Sequence, residues 1–410
     1  MSEHVPTPAV RRRGPRRRIT ALTAITLVAA LGLHTAYAVA DTGGGDGDTS
    51  RSGPQDKQGE QDTQETGVMR GLVDELVRDG VRPGALVATQ ERDGRTRTYA
   101  AGTADLATPT PVPADGQIRI GSNTKTFTAV VVLQLVGEGR IGLDEPVETY
   151  LPGLLRGEGI DGRGITVRQL LQHTSGLPEY VQAVAGDYAA FQHRYTEPRE
   201  LIDMALEGKA SFQPGERWEY SNTNYIVAGL IVQKVTGRPL GEEITQRIIR
   251  RIGLRHTYFP RPGEMTIREE HPKGYHADQP GKPLRDVSVS DPSSAWAAGA
   301  MVSTNEELNR FFTALLDGEL LEPEQLKAMR TTVEATGHPS AGARYGLGLK
   351  SQPLSCGGVY WGHGGDIPGY ETRGGVTDEG RAVSFAVTVL PGGLSDLQQI
   401  DDAVDSALCR

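Results

Sequence analysis

Apolar residues recur at helical spacing through Val68, Leu72 and Leu76, predicting a helix over Val68–Arg78. Two strand-like runs follow, Gly84–Gln90 and Thr96–Ala101. Asp93-Gly94 lies between them, a turn pair that marks a hairpin. Ile118–Ile120 reads as a short strand feeding an almost wholly apolar helix, Thr126–Gly137. From Asp144 to about Asp291 the pattern changes to helices and long polar loops. The helices there are Val167–Leu171, Pro198–Leu206, Tyr225–Val235 (stopped by Gly237) and Leu240–Ile249. A helix over Glu306–Leu316, strands over Gly346–Lys350, Gly358–Trp361 and Val383–Leu390, and a closing helix over Leu397–Leu408 complete the chain. Strands near both ends with helices between them predict one discontinuous α/β layer carrying a mostly helical inserted region, about 144–291.

The start of the chain belongs to no core. Arg11–Arg13 and Arg16–Arg18 precede an apolar stretch, Ile19–Leu33, and then Ala38-Val39-Ala40. A basic start, a short apolar centre and an Ala-x-Ala end predict a secretory signal peptide over residues 1–40, cleaved near Ala40. The paired arginines leave a twin-arginine route open. A permanent anchor is the competing reading, but the apolar run falls short of the ~20 residues a span needs. Residues 41–66 are Gly, Asp, Ser, Gln and Thr with almost no apolar residue, predicting a disordered tether ahead of one catalytic domain over 67–410. Losing residues 1–40 removes six Arg and one Glu, moving the net charge from −9 to −14. An acidic exported chain is not built for nucleic acid. No further stretch is long enough to span a bilayer, so a soluble mature protein is expected. Cys356 and Cys409 are an even pair in an oxidising compartment and predict a disulfide; two buried thiols are the alternative. Metal binding needs more ligands than these two supply.

Ser122-Asn123-Thr124-Lys125 sits where strand turns to helix. Positions three apart share a helix face, so the Ser122 hydroxyl and Lys125 amine can approach. A nucleophilic serine needs an adjacent base, and a lysine serves if its pKa is lowered. The helix N-terminus offers N–H groups to an oxyanion. Tyr220 and Asn222 stand two apart at a loop tip before a helix; the phenol can relay a proton, particularly if nearby ammonium groups lower its pKa. Read alone, the pair is a turn in which Asn222 caps the helix. Trp361-Gly362-His363-Gly364-Gly365-Asp366 leaves the histidine almost without neighbouring bulk, so a ligand backbone can approach closely. His173 reads as a structural loop histidine.

Taken together and in order, Ser122-x-x-Lys125, Tyr220-x-Asn222 and His363-x-Gly365 resemble the serine penicillin-recognising hydrolases. That family holds DD-peptidases, class C β-lactamases, related esterases and D-aminopeptidases. The flanking runs Gly121–Phe127, Leu171–Leu177, Phe212–Gly215, Tyr220–Gly229 and Tyr345–Leu349 look most like secreted, soluble D-alanyl-D-alanine carboxypeptidases. The resemblance covers about Gly67 to Cys409 and implies an antiparallel sheet flanked by helices. It makes Ser122 the acylating nucleophile and Lys125 its proton acceptor or electrostatic activator. Tyr220 becomes the proton shuttle, Asn222 the holder of the acyl-side amide, His363 a catalytic residue on the strand beside the cleft, and Gly364 and Gly365 substrate-binding positions of that strand. The oxyanion hole becomes the N–H groups of Ser122 and Asp366. Trp296 matches an aromatic that walls the cleft; its other reading is a core Trp beside a tight turn.

The third motif departs from the family's peptidases, which often carry Ser or Thr at position 364 and a hydroxyl at 366; here Gly364 and Asp366 stand there. Lys350 stands where the similar carboxypeptidases carry a carboxylate-binding arginine, and it loses the bidentate fork. Asp366 is expected to repel a carboxylate if it faces the cleft. The leading expectation is a monomeric secreted serine acyl hydrolase acting on cell-wall D-Ala-D-Ala peptides and β-lactams, with no metal or cofactor. An esterase, D-aminopeptidase or β-lactamase on the same chemistry is the alternative. A penicillin-binding sensor without turnover is the reading from another class.

Overall fold

Strands from the two ends of the chain meet in one sheet. The computed structural model describes residues 54–277, 282–390 and 394–410. Residues 1–53, with the leader and the first part of the expected tether, lie outside them. Helix α1 (Pro54–Val77) begins well before the expected start at Val68, so residues 54–66 are helical and not a tether. Pro fits the first helical position, and Gln, Glu and Lys are good helix formers that extend a helix anchored by its apolar end.

The hairpin forms as read. β1 (Gly84–Gln90) pairs antiparallel with β2 (Thr96–Asp105) from Gly84↔Gly102 to Gln90↔Thr96. Further along the chain come α2 (Thr124–Gly137), α3 (Thr223–Thr236) and α4 (Asn305–Leu316). Strands β3 (Lys350–Pro353), β4 (Val359–Gly362), β5 (Gly365–Ile367), β6 (Tyr370–Thr377) and β7 (Ala382–Val387) follow, and α5 (Leu394–Leu408) closes the chain. Among the described residues one antiparallel sheet of ten strands runs β3-β4-β6-β7-β1-β2 through its centre, with β5 continuing the line of β4 along β6. β7 lies on β1 from Ala85↔Val387 to Gln90↔Ala382. Between Val147 and Ile249 the only strands are the two-residue pair Arg156–Gly157 and Ile160–Asp161, so the middle of the chain is helical as expected.

Besides α1, two sheet elements differ from the sequence reading. Gly346–Leu349 is a turn and not a strand, closed by Gly346 N–H to Leu349 O at 2.8 Å. Gly348 takes φ +77, and a Cβ there would lie 2.5 Å from Ala129 Cβ, so the turn is pressed onto α2. β6 has no strand-like pattern because Glu371, Arg373, Gly374 and Gly375 interrupt it. Its glycines are required by neighbours: a Cβ on Gly375 would stand 2.3 Å from Trp361 O, and one on Gly374 2.1 Å from Val383 O.

Alternation in the sheet serves two cores. Ala85, Val87, Val383, Phe385 and Val387 face Met69, Val73, Ile400 and Val404 of α1 and α5. Leu86 and Ala386 face the larger core with α2, α3 and α4. Residues 124–133 of α2 are buried without exception, which explains its lack of a polar face. Among the described residues no helix is long and apolar enough to cross a membrane. Cys356 and Cys409 are bonded, with Cα atoms 5.6 Å apart, tying the end of α5 to the turn before β4.

Candidate active site

Ser122 lies in the single turn Gly121–Asn123 that opens α2. Gly121 takes φ +48, and a Cβ there would lie 2.9 Å from the Asp366 backbone nitrogen, so this turn abuts β5 directly. Asn123 holds the junction: its Nδ2 donates to Ile120 O at 2.9 Å and to Thr372 Oγ1 of β6 at 2.7 Å.

Lys125 follows one turn on and is wholly buried. Its Nζ reaches Ser122 Oγ at 2.9 Å, Asn222 Oδ1 at 2.6 Å and Ala298 O at 2.8 Å. Burial brings its pKa down from 10.5 to about 7, against the opposing pull of Glu179 and Asp366. Ala298 O and Asn222 Oδ1 only accept. A neutral amine gives its two hydrogens to them and turns its lone pair to the Ser122 hydroxyl. The geometry is that of a base beside its nucleophile.

Asn222, at the head of α3, is held by Glu179, whose Oε2 accepts from Asn222 N and Nδ2, each at 2.8 Å. Tyr220 lies beside this pair, with Lys125 Nζ 4.9 Å from its ring centroid. Nearby ammonium does not lower its pKa: burial and Tyr345 hold the phenol well above 10, so Tyr220 is a proton donor at neutral pH. His173, at φ +59 and fully buried, accepts from Ser221 N at Nδ1 (3.2 Å) and packs its ring 4.3 Å from that of Tyr220. It is structural, as read.

His363 follows β4. Its Nδ1 lies 2.5 Å from Gly364 O, an acceptor, so Nδ1 carries the hydrogen and Nε2 accepts from Tyr345 Oη at 2.8 Å. Burial and Lys125 keep the ring neutral. Both nitrogens are thus occupied by protein groups, so the catalytic part expected of His363 is not that of a base in this geometry; the ring walls the site.

The chain matches the Beta-lactamase family over residues 69–408. It belongs to the beta-lactamase family. It is 29% identical over 266 residues to the putative penicillin-binding protein PbpX of Bacillus subtilis (strain 168), covering 64% of this chain and 60% of that protein. It is 27% identical over 282 residues to penicillin-binding protein 4* of the same organism, 66% of this chain and 60% of that one. The chain thus spans about 60% of the length of these curated relatives. Among solved structures it resembles a D-stereospecific amidohydrolase from Streptomyces sp. (38% identity, TM-score 0.75, 82% of this chain and 98% of that one). It also resembles the D-amino acid amidase of Ochrobactrum anthropi SV3 (28% identity, TM-score 0.75, 84% and 97%). As a member of this family the chain carries its candidate serine and lysine beside an antiparallel sheet flanked by helices.

Ser122, Tyr220, Asn222, Lys350, His363, Gly364 and Asp366 line one cleft of about 940 Å³, with Val181, Val184 and Ile367 among its apolar walls. Lys125 stands just behind this lining, against Ser122, and two further expected residues do not line the cleft. Trp296 lies against α3, its ring 2.8 Å from where a Cβ on Gly229 would be, and Ala295 and Ala298 form the wall instead. Gly365 turns away, because a Cβ there would meet Ile120 O at 2.0 Å; it is needed for the approach of β5 to the nucleophile's turn. The expected repulsion by Asp366 also changes, since its Oδ1 accepts from Arg373 Nη1 at 2.6 Å. Glu179, Tyr345 and Arg373 were not singled out as site residues from sequence. Glu179 lies two residues past the Leu171–Leu177 run, and Arg373 sits on the strand that the pattern hides.

Proposed function

We propose that this protein is a serine hydrolase, an exported D,D-peptidase that removes the last residue from peptides ending in D-alanyl-D-alanine. Lys350 carries the reading. Its side chain is buried, it lines the cleft, and among the described residues it has neither a hydrogen bond nor an ion pair, only the Tyr360 ring 5.9 Å away. An ammonium that reaches the cleft with its donors unused can take an acceptor from a ligand, and a C-terminal carboxylate is that acceptor. The leader-like start of the chain supports export.

Neutral Lys125 takes the proton from Ser122 as Oγ attacks the carbonyl carbon, and the N–H groups of Ser122 and Asp366 receive the oxyanion. Tyr220 protonates the departing amine as the C–N bond breaks and regains a proton from Lys125. Water then adds to the ester carbonyl, passes its proton back along the same pair, and releases the acid and free Ser122. Asn222 keeps one Nδ2 hydrogen for the acyl-side carbonyl.

A second reading, cleavage of D-amino-acid amides, is favoured by the 38% identity to the Streptomyces amidohydrolase. The deciding experiment gives the purified protein a D-Ala-D-Ala peptide, a D-amino-acid amide, a short-chain ester and a chromogenic cephalosporin, with intact-mass trapping of the acyl-enzyme. Fastest release of D-alanine is expected. Preference for the amide selects the second reading, and labelling by penicillin without turnover of any substrate makes the protein a sensor.

A further inference from the structure

Gly364 has a specific neighbour. A Cβ built on it would lie 3.0 Å from Arg373 Nη1 and 3.3 Å from Arg373 Cζ, so the guanidinium of β6 stands in the volume that a side chain at position 364 would fill. Arg373 lines the same cleft as Lys350, with its side chain 11% exposed. Its donors are unevenly used. Nη1 gives hydrogens to Asp366 Oδ1 (2.6 Å) and Thr372 O (2.8 Å). Nη2 lies 2.8 Å from Glu371 Oε1 and Nε 3.9 Å from Asp401 Oδ1, contacts that are not aligned as hydrogen bonds.

We infer that Arg373 is a specificity-determining residue that offers its free N–H donors to the carboxylate of the leaving residue, taking the place of a hydroxyl side chain at position 364. The inference rests on the peptidase reading above and deepens it. Glu371 is fully buried, and burial raises its pKa to about 8, so at neutral pH it leans to the acid form and leaves the arginine's charge to Asp366 and Asp401. Lys350 and Arg373 then face two carboxylates. Selection for a substrate carboxylate comes from directed donors on a rigid fork and not from a net positive field.

The test uses the full chain carrying Ser122→Ala, titrated calorimetrically with an N-acyl-D-Ala-D-Ala peptide and with its C-terminal carboxamide. Arg373→Gln should weaken the acid about ten- to thirtyfold more than the amide. Gly364→Ser, which keeps the arginine but crowds it out of position, should erode the same preference. In the double variant the new hydroxyl should restore part of it. Equal weakening of acid and amide by Arg373→Gln makes Arg373 a structural brace and overturns the inference. If Arg373→Gln does not fold, as read by thermal melting, Gly364→Ser decides alone: an unchanged preference overturns the inference. Failure of the peptidase reading looks different. The unsubstituted enzyme then releases no D-alanine, while the Ser122→Ala protein still prefers acid to amide and loses that preference in the two variants.

Discussion

Glu179 sets the orientation of the Asn222 amide. A carboxylate only accepts, so the Asn222 NH₂ must face Glu179 Oε2 and its oxygen must face Lys125, at 2.6 Å. Glu179→Gln removes this constraint and lets the amide present hydrogens to the lysine. Acylation should fall about ten- to hundredfold, the scale of a lost charge-assisted hydrogen bond. Glu179 also raises the Lys125 pKa, so its neutralisation should shift the acid limb of the pH–rate profile to lower pH. A variant whose limb stays in place would show that Glu179 only braces the loop.

Lys125 is brought to about pH 7 chiefly by burial. Its base form is present above that pH and lost below it, so kcat/KM for a neutral ester should rise with pH through about 7 and then level. Lys125→Arg keeps a proton at every accessible pH and should lower acylation by several orders of magnitude without recovery in alkali. Stopped-flow acylation against pH checks both.

Lys350→Ala should raise KM for peptides ending in D-Ala about five- to thirtyfold more than for neutral amides, the scale of one charged contact in a partly wet cleft. Asp366→Thr acts differently from simple relief of repulsion, because Asp366 is paired with Arg373. It should release the guanidinium and change the acid-to-amide ratio of kcat/KM only where Arg373 is present. The same ratio in Arg373→Gln and in the double variant checks this.

The parts of the site read from sequence are those that local geometry dictates. Ser122 and Lys125 meet because three residues make nearly one helical turn, and the Gly84–Thr96 hairpin forms because Asp93-Gly94 turns it. Glu179 was hidden because it acts through Asn222, 43 residues on, and Arg373 because its own strand does not read as one. Glu179 joins Asn222, and Arg373 joins Asp366 on a strand whose glycines and charges obey its neighbours and not its own propensity. Trp296 was ambiguous for a related reason: a ring beside Gly229 and a ring beside a substrate leave the same trace in sequence.

The disulfide closes a separation of 53 residues, which contributes about 4 kcal/mol by loop-closure entropy. Reduction should lower the melting temperature by several degrees, and Cys356→Ser/Cys409→Ser should do the same without reductant. Calorimetry with and without dithiothreitol, beside that double variant, measures it. An unchanged melting point would mean that packing of Ile400 and Val404 alone secures α5.

The β1–β7 ladder, from Ala85↔Val387 to Gln90↔Ala382, ties the earliest strand to the latest. During synthesis Ser122, Lys125 and Asn222 emerge long before Asp366, whose N–H faces the turn at Gly121. A chain cut short of residue 365 carries a serine and its base with only the Ser122 half of the proposed cradle for the charge that attack creates. Such long-range closure is slow relative to helix formation. On the proposed chemistry, competence is therefore the last property this polypeptide acquires, and a half-made copy should be nearly silent towards the esters and amides it passes.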